Sequence, residues 1–136
     1  MVETLARLVD IPSETGAEAD IRDEIANRLA GYPQTAVRES LVVGEPGPVT
    51  AALFGHLDTV PLQGPAGARV EGDRLYGLGA TDMKSGLAVM IHLIEDLGVE
   101  RVVGVFYAGE EGPLSGNQLA SVFEAVPDLT LSLIHI

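Results

Sequence analysis

The chain has 136 residues, with 8 Lys and Arg against 20 Asp and Glu, which gives a formal net charge of −12. That length fits one average domain. The acidity makes nucleic acid a poor partner, because binding to phosphate needs clustered cations. Cysteine is absent, so disulfide bonds and thiolate metal ligands are excluded. The hydrophobic fraction of 46% is too high for a disordered chain.

The sequence contains no apolar run close to the roughly 20 residues that span a bilayer. Its first residues also lack a basic region followed by an apolar stretch, which argues against a secretory signal. We therefore expect a cytoplasmic protein without a membrane partner.

The first third of the chain predicts two helices and a strand. Apolar periodicity indicates a short helix over residues 2–10 and a second one over residues 17–29. Ser13 and Thr15 are candidate N-caps of the second helix. Residues 35–43 predict one extended strand, and the Gly- and Pro-rich residues 44–48 predict a turn.

The rest of the chain alternates between buried strands and helices. Strands are predicted at residues 49–54 and 101–108 and from residue 129 to 133, and helices at residues 84–97 and 115–126. Between the strand at 49–54 and the helix at 84–97 lies a long Gly- and Pro-rich loop, in which residues 69–70 and 74–76 predict a small hairpin. This alternation predicts an α/β fold with a mostly parallel sheet flanked by helices. Functional sites of such sheets lie beyond the carboxyl ends of the strands.

Polar clusters occur at those strand ends. His56 and Asp58 follow the first buried strand, Asp82 precedes the helix at 84–97, and Glu110 and Glu111 follow the second buried strand. Residues i and i+2 of an extended segment point the same way, so Asp58 is placed to accept the ring N–H of His56 and orient the ring.

Each cluster also has a purely structural interpretation. His56 and Asp58 would be surface residues, Asp82 would be a helix N-cap, and Glu110 and Glu111 would form a solvated turn. With a metal present, one glutamate can bind it while the other stays free as a general base. Histidine and carboxylates without cysteine suit a hydrolytic zinc, cobalt or manganese site, with Asp82 as the natural bridge between two ions.

Three segments carry a resemblance to a known family. They are residues 54–61 (FGHLDTVP), 76–86 (YGLGATDMKSG) and 107–112 (YAGEEG). In this order they resemble the successive signatures of dinuclear zinc metallopeptidases of the aminoacylase, carboxypeptidase and desuccinylase type. The resemblance implies that residues 1–130 form the N-terminal part of a zinc-peptidase-type catalytic domain, without its lid domain.

The resemblance also implies a role for each residue. His56 would bind one metal ion, Glu111 the other, and Asp82 would bridge both through a loop with a cis peptide to Met83. Asp58 would support the His56 ring. Glu110 would act as general base and acid in the hydrolysis of an amide bond. Two divalent ions are implied, with zinc preferred and cobalt or manganese as alternatives.

Within the family, the sequence is most similar to succinyl-diaminopimelate desuccinylases of lysine biosynthesis, which act on N-succinyl-LL-diaminopimelate. Acetylornithine deacetylases, dipeptidases and tripeptidases share the same motifs, so an N-acyl amino acid is the broader substrate class. The resemblance implies a homodimer for the full-length protein. Alternatives of other classes are a non-catalytic binding module and a carbohydrate or nucleotide site. All five site residues are present, which favours the hydrolase.

The end of the chain departs from the family pattern. Residues 131–136 (LSLIHI) lack the acidic ligand that the family carries after the corresponding strand, and they resemble a translated sequencing adaptor. We expect a non-native tail there, with a genuine buried strand as the alternative. His135 and the mid-helix His92 are then not ligands. Each ion would keep only two protein ligands, so the chain by itself is expected to be inactive.

Overall fold

The structure is a computed structural model that describes residues 1–47 and 51–129. The described helices are α1 (Val2–Asp10), α2 (Ala19–Arg28), α3 (Ser85–Leu97) and α4 (Leu119–Ala125). The described strands are β1 (Gln34–Val37), β2 (Ser40–Val43), β3 (Ala51–His56), β4 (Arg69–Glu71), β5 (Arg74–Tyr76) and β6 (Val102–Tyr107). An irregular turn at Ala80–Lys84 leads into α3.

A mixed sheet lies at the centre of the described residues, in the spatial order β1-β2-β6-β3. The pair β3–β6 is parallel, whereas β1–β2 and β2–β6 are antiparallel. The predicted α/β class is confirmed, but the described sheet is mixed rather than mostly parallel. The reason is that residues 35–43 form a hairpin instead of one strand. Its turn contains Arg38, with φ 55°, and Glu39, so no glycine or proline signals it in the sequence.

Helices cover both faces of this sheet. Alternate residues of β6 point to opposite sides, as the pleat of a strand requires. Val102 and Phe106 join a core with α1, α2 and α3, whereas Val103 and Val105 pack with residues of α4. The apolar stripes predicted for the second and third helices therefore face the core that the periodicity indicated.

A polar cluster joins the three helices on the first face. Arg28 of α2 forms a two-pronged ion pair with Glu95 of α3, with N–O distances of 2.8 and 3.0 Å. The same arginine donates to the hydroxyl of Thr4 in α1 at 2.7 Å. That hydroxyl also lies 2.9 Å from Nε2 of His92. His92 is thus a packed helix residue, and it lies in this cluster rather than near the predicted ligands.

The parallel pair β3–β6 determines where the polar loops meet. The two strands are joined through α3, and His56 at the end of β3 pairs with Tyr107 at the end of β6. The Leu57 N–H then donates to the Tyr107 carbonyl at 2.8 Å. The loops that follow both strands therefore start side by side, at the edge where parallel sheets carry their sites.

Two local predictions differ from the structure. Neither Ser13 nor Thr15 caps α2, whose N-cap position is Glu18 and which has no side-chain cap hydrogen bond. The predicted helix at 115–126 is divided into a single 3₁₀ turn at Leu114–Gly116 and α4. The strand predicted from residue 129 and the non-native tail predicted at 131–136 lie outside the described residues, apart from Leu129 itself. Among the described helices, none is both long and apolar enough to cross a membrane.

Candidate metal centre

Donor atoms from distant parts of the chain converge beyond the ends of β3 and β6. His56 ends β3, Asp82 lies in the turn before α3, and Glu111 follows β6. Each offers one ligand atom, and these three atoms lie within 4.8 Å of one another. His56 is buried, Glu111 is partly buried and Asp82 is exposed. The structure thus brings together the three residues predicted to bind metal.

The imidazole of His56 has an oxygen atom beside each of its nitrogens. Nδ1 lies 2.9 Å from the backbone carbonyl oxygen of Asp58, and Nε2 lies 3.0 Å from Oδ1 of Asp82. A neutral imidazole has only one N–H. If Nδ1 donates to the carbonyl, the Nε2 lone pair faces a carboxylate, and a cation between them makes that contact favourable. This donor set, one imidazole and two carboxylates, fits a divalent metal ion.

Asp58 holds the turn that carries both glutamates. Its side chain is fully buried, and its carboxylate accepts the backbone N–H of Glu110 at 3.0 Å and of Glu111 at 2.9 Å. The hydroxyl of Thr15 donates to the same carboxylate at 2.9 Å. The carboxylate lies 3.7 Å from Nδ1 of His56, beyond hydrogen-bonding distance. The prediction that this carboxylate accepts the ring N–H is therefore wrong, since the backbone carbonyl of Asp58 lies beside Nδ1 instead.

Glu110 and Glu111 lie in different surroundings although they are adjacent. Glu111 belongs to the converging donors, whereas Glu110 is exposed and does not. Gly109 precedes them with φ 80°, a left-handed conformation that glycine adopts without a steric penalty. The turn therefore directs one carboxylate toward His56 and Asp82 and leaves the other free.

Asp82 is not the N-cap of α3. The N-cap position is Lys84, and no side-chain cap hydrogen bond is present, so the structural interpretation of Asp82 is wrong. The peptide bond between Asp82 and Met83 is cis, as the resemblance implies. A cleft of about 420 Å³ opens beside Asp82, lined by residues 77–82 together with Thr59, Val60 and Glu111.

Two further polar side chains near the centre were not singled out from the sequence. Lys84 is 2% exposed, and its Nζ donates to the Ile11 carbonyl at 2.7 Å. Burial lowers the pKa of Lys84 to about 8. Burial, reinforced by the charges of Glu110, Asp58 and Asp82, raises the pKa of Tyr107 to about 12. Both residues lie inside the segments that carry the family resemblance. Their position in these segments was the one sequence feature that could have indicated that they lie near the site.

Comparisons with known proteins identify the family to which the chain belongs. Residues 52–132 match peptidase family M20/M25/M40. The chain is 38% identical over 137 residues to the Mycobacterium tuberculosis protein named "Putative succinyl-diaminopimelate desuccinylase DapE", covering 93% of this chain and 38% of that protein. It is 33% identical over 139 residues to the LysW-lysine hydrolase of Deinococcus radiodurans, covering 95% of this chain and 38% of the relative.

A solved structure supports the same assignment at the level of the fold. The Bacillus subtilis YXEP protein, described as a dinuclear metal binding peptidase from the M20 family, superposes with a TM-score of 0.64 at 21% identity. The match covers 91% of this chain and 38% of that one. A metallopeptidase-type α/β fold with candidate metal donors at the strand ends thus defines the class of protein. The chain belongs to peptidase family M20/M25/M40 and spans 38% of the length of the two curated relatives.

Proposed function

We propose that this chain forms part of the catalytic domain of a two-metal amidohydrolase that removes the acyl group from an N-acyl amino acid. N-succinyl-LL-diaminopimelate is the substrate we infer. The observation that carries the proposal is the convergence of His56, Asp82 and Glu111 with a free carboxylate, Glu110, on the adjacent residue. The similarity to the Mycobacterium protein supports the choice of substrate.

The donor set suggests how two ions would be held. His56 and Asp82 would hold one, and Asp82 and Glu111 would hold the other, so that Asp82 is shared. Among the ions that fit imidazole and carboxylate ligands, zinc is preferred over cobalt and manganese. When bound, the ions supply Lewis-acid activation of the amide carbonyl and of water.

The protein residues supply the proton transfer. A carboxylate oxygen of Glu110 takes a proton from water as the water oxygen forms a bond to the amide carbon. The bond between that carbon and nitrogen then breaks, and Glu110 returns the proton to the leaving amine. Asp58 holds the backbone from which this carboxylate projects by accepting the Glu110 backbone N–H at 3.0 Å.

A second candidate is the hydrolysis named for the Deinococcus relative, LysW-lysine hydrolysis. The observation that favours it is the 33% identity over 95% of this chain, close to the value for the first relative. The ligand residues and the general base would be the same. The two candidates differ in the substrate that is hydrolysed, and the substrate assay below separates them.

The test measures hydrolysis by the full-length protein that carries this chain, loaded with zinc or cobalt. Equal concentrations of N-succinyl-LL-diaminopimelate, N-acetylornithine and a LysW-lysine conjugate are compared. We expect kcat/KM to be highest for the succinyl substrate. We expect a chelator to abolish the hydrolysis of all three substrates. A preference for another substrate refutes the proposed specificity, and turnover that survives metal removal refutes the two-metal reaction. The 136-residue chain by itself is expected to show no turnover.

A further inference from the structure

An N-terminal loop, defined as residues 11–18, lies against all three segments that carry the predicted ligands. After β3, the Thr15 N–H donates to the Thr59 carbonyl at 3.2 Å, and the Thr59 N–H donates to the Ser13 carbonyl at 2.9 Å. Beside Asp82, Lys84 donates to the Ile11 carbonyl at 2.7 Å. This loop therefore lies close to the centre although it contributes no ligand.

Thr15 connects the N-terminal loop to the turn that carries the glutamates. Its hydroxyl donates to Oδ2 of Asp58 at 2.9 Å, the same oxygen that accepts the Glu111 N–H at 2.9 Å. Its methyl group lies beside Gly112, where an added Cβ would be only 2.7 Å from Cγ2 of Thr15. Thr15 thus contacts both the acceptor of that turn and the residue directly after Glu111.

The surroundings of Asp58 explain why this hydroxyl matters. A buried carboxylate depends on hydrogen bonds to compensate for its loss of water. Within the described residues, the carboxylate of Asp58 has two backbone donors and one side-chain donor, the Thr15 hydroxyl. Without that hydroxyl, Oδ2 retains one partner, and the carboxylate is freer to rotate away from Glu111.

We propose that Thr15 is a positioning residue of the metal centre. Its hydroxyl fixes the carboxylate of Asp58, and through Asp58 it fixes the backbone of Glu110 and Glu111. Hydrogen-bonding partners of this indirect kind commonly alter metal affinity although they do not touch the metal. The effect on metal affinity rests on the proposed function, whereas the effect on the backbone of the turn does not.

The first experiment uses the metal-free chain. Amide hydrogen exchange is measured by NMR for Glu110 and Glu111 in the wild type, in T15V, which removes the donor, and in T15S, which keeps it. In T15V we expect both amides to exchange about fivefold faster, because losing the net contribution of one ordinary hydrogen bond changes an equilibrium constant by about that factor. In T15S we expect wild-type exchange. Thr15 is exposed, so neither change opens a cavity in the core.

The matched control is T35V, the same change at an exposed threonine of β1 that has no side-chain hydrogen bond among the described residues. Its Glu110 and Glu111 amides should exchange as in the wild type. Amides of Val103 and Phe106 in β6 report global opening in every variant. Faster exchange in β6 to the same extent as in the turn would overturn the proposal, because the effect would then be a general loss of stability.

The second experiment measures the affinity of the full-length protein that carries this chain for zinc and for cobalt by calorimetry, with the cobalt absorption spectrum as a signature of ligand geometry. We expect T15V to bind about tenfold more weakly with an altered spectrum, and T15S and T35V to match the wild type. Equal binding by T15V and the wild type, or equal losses in T15S and T15V, contradicts the proposal. If even the wild type binds no metal, the proposed function fails, and the exchange experiment still decides the role of Thr15.

A pair of variants at Gly112 provides an independent check. G112A places a methyl group against Cγ2 of Thr15, and T15S removes Cγ2 while keeping the hydroxyl. We expect G112A to accelerate exchange of the Glu110 and Glu111 amides, and we expect the double variant G112A/T15S to restore protection. A double variant no better protected than G112A would show that the position of Thr15 does not control the turn.

Discussion

Glu110 and Glu111 are neighbours in the chain, yet the structure places their side chains in different surroundings. Asp58 accepts the backbone N–H groups of both residues, at 3.0 and 2.9 Å, which fixes the backbone and leaves the side chains to diverge. Only Glu111 reaches the donor atoms of His56 and Asp82. The conformation of one turn therefore places two identical side chains in different environments.

These different positions predict that the same substitution affects catalysis at one residue and metal binding at the other. In the full-length protein, E110Q should lower kcat at least about 100-fold, because glutamine cannot accept the proton, while metal affinity stays near the wild-type value. E111Q should weaken metal binding at least about tenfold, because a charged ligand is lost. Steady-state kinetics and metal titration of both variants provide the measurement. Metal loss in E110Q equal to that in E111Q would contradict the assignment.

At this scale, the sequence identified the residues that converge and the supporting Asp58, but it did not identify Thr15 as a partner of Asp58. His56, Asp82 and the pair Glu110 and Glu111 could be predicted because each stands where a strand ends or a helix begins, whereas the choice of Glu111 as the ligand came from the family resemblance. Thr15 was considered only as a helix cap, because the partner of its hydroxyl, Asp58, lies 43 residues away in the chain. A hydrogen bond between such distant segments depends on the packing of the sheet, which no local pattern encodes.

At the scale of elements, the turn after β6 depends on Gly109. Its φ of 80° is unfavourable for residues with a Cβ, and an added Cβ would also collide with the backbone carbonyl oxygen of Gly116. A side chain at Gly116, in contrast, would meet no atom within 4 Å. The two glycines of this region thus differ sharply in how well they should tolerate alanine.

We expect G109A to lower the free energy of unfolding by about 2 kcal/mol, because the left-handed conformation and the collision both carry a cost. G116A is the matched control and should change the free energy by less than about 0.5 kcal/mol. Urea unfolding followed by circular dichroism measures both. Equal stability of G109A and G116A would show that the turn does not require this conformation.

Element prediction was accurate where periodicity was strong and less so where turns lacked their usual residues. The helix Val2–Asp10 and the hairpin of Arg69–Glu71 with Arg74–Tyr76 were predicted with their bounds or close to them. The hairpin of β1 and β2 was read as one strand, because Arg38 and Glu39 carry no turn signal. That single turn reverses the chain and makes the described sheet mixed.

At the scale of the whole molecule, the polar cluster of Thr4, Arg28, His92 and Glu95 ties three helices together on the side of the sheet that packs against α3. The hydrogen bond from Arg28 holds the pKa of Glu95 below its usual value of 4.5. A carboxyl group with a lowered pKa stabilises the folded state above its ordinary pKa. That contribution is lost as the pH falls through the folded-state value.

E95Q should therefore be less stable than the wild type at pH 7, by about 1 kcal/mol for a two-pronged pair near the surface. The difference should shrink below about pH 4.5, where the wild-type carboxyl group begins to take up a proton. Urea unfolding at pH 7 and pH 3 measures it. E124Q, at an exposed glutamate of α4, is the control and should match the wild type at both values. A deficit in E95Q that stays constant with pH would exclude the charge as its cause.

The position of the metal donors has a practical consequence for handling the protein. Because His56, Asp82 and Glu111 meet only when β3 and β6 lie side by side in the correct register, a chain with misaligned strands cannot present all three. In a sample that binds cobalt, the amplitude of the cobalt absorption band would therefore be proportional to the number of correctly folded molecules. The fraction of correctly folded protein in a refolded preparation could be measured from this absorption before any substrate is available.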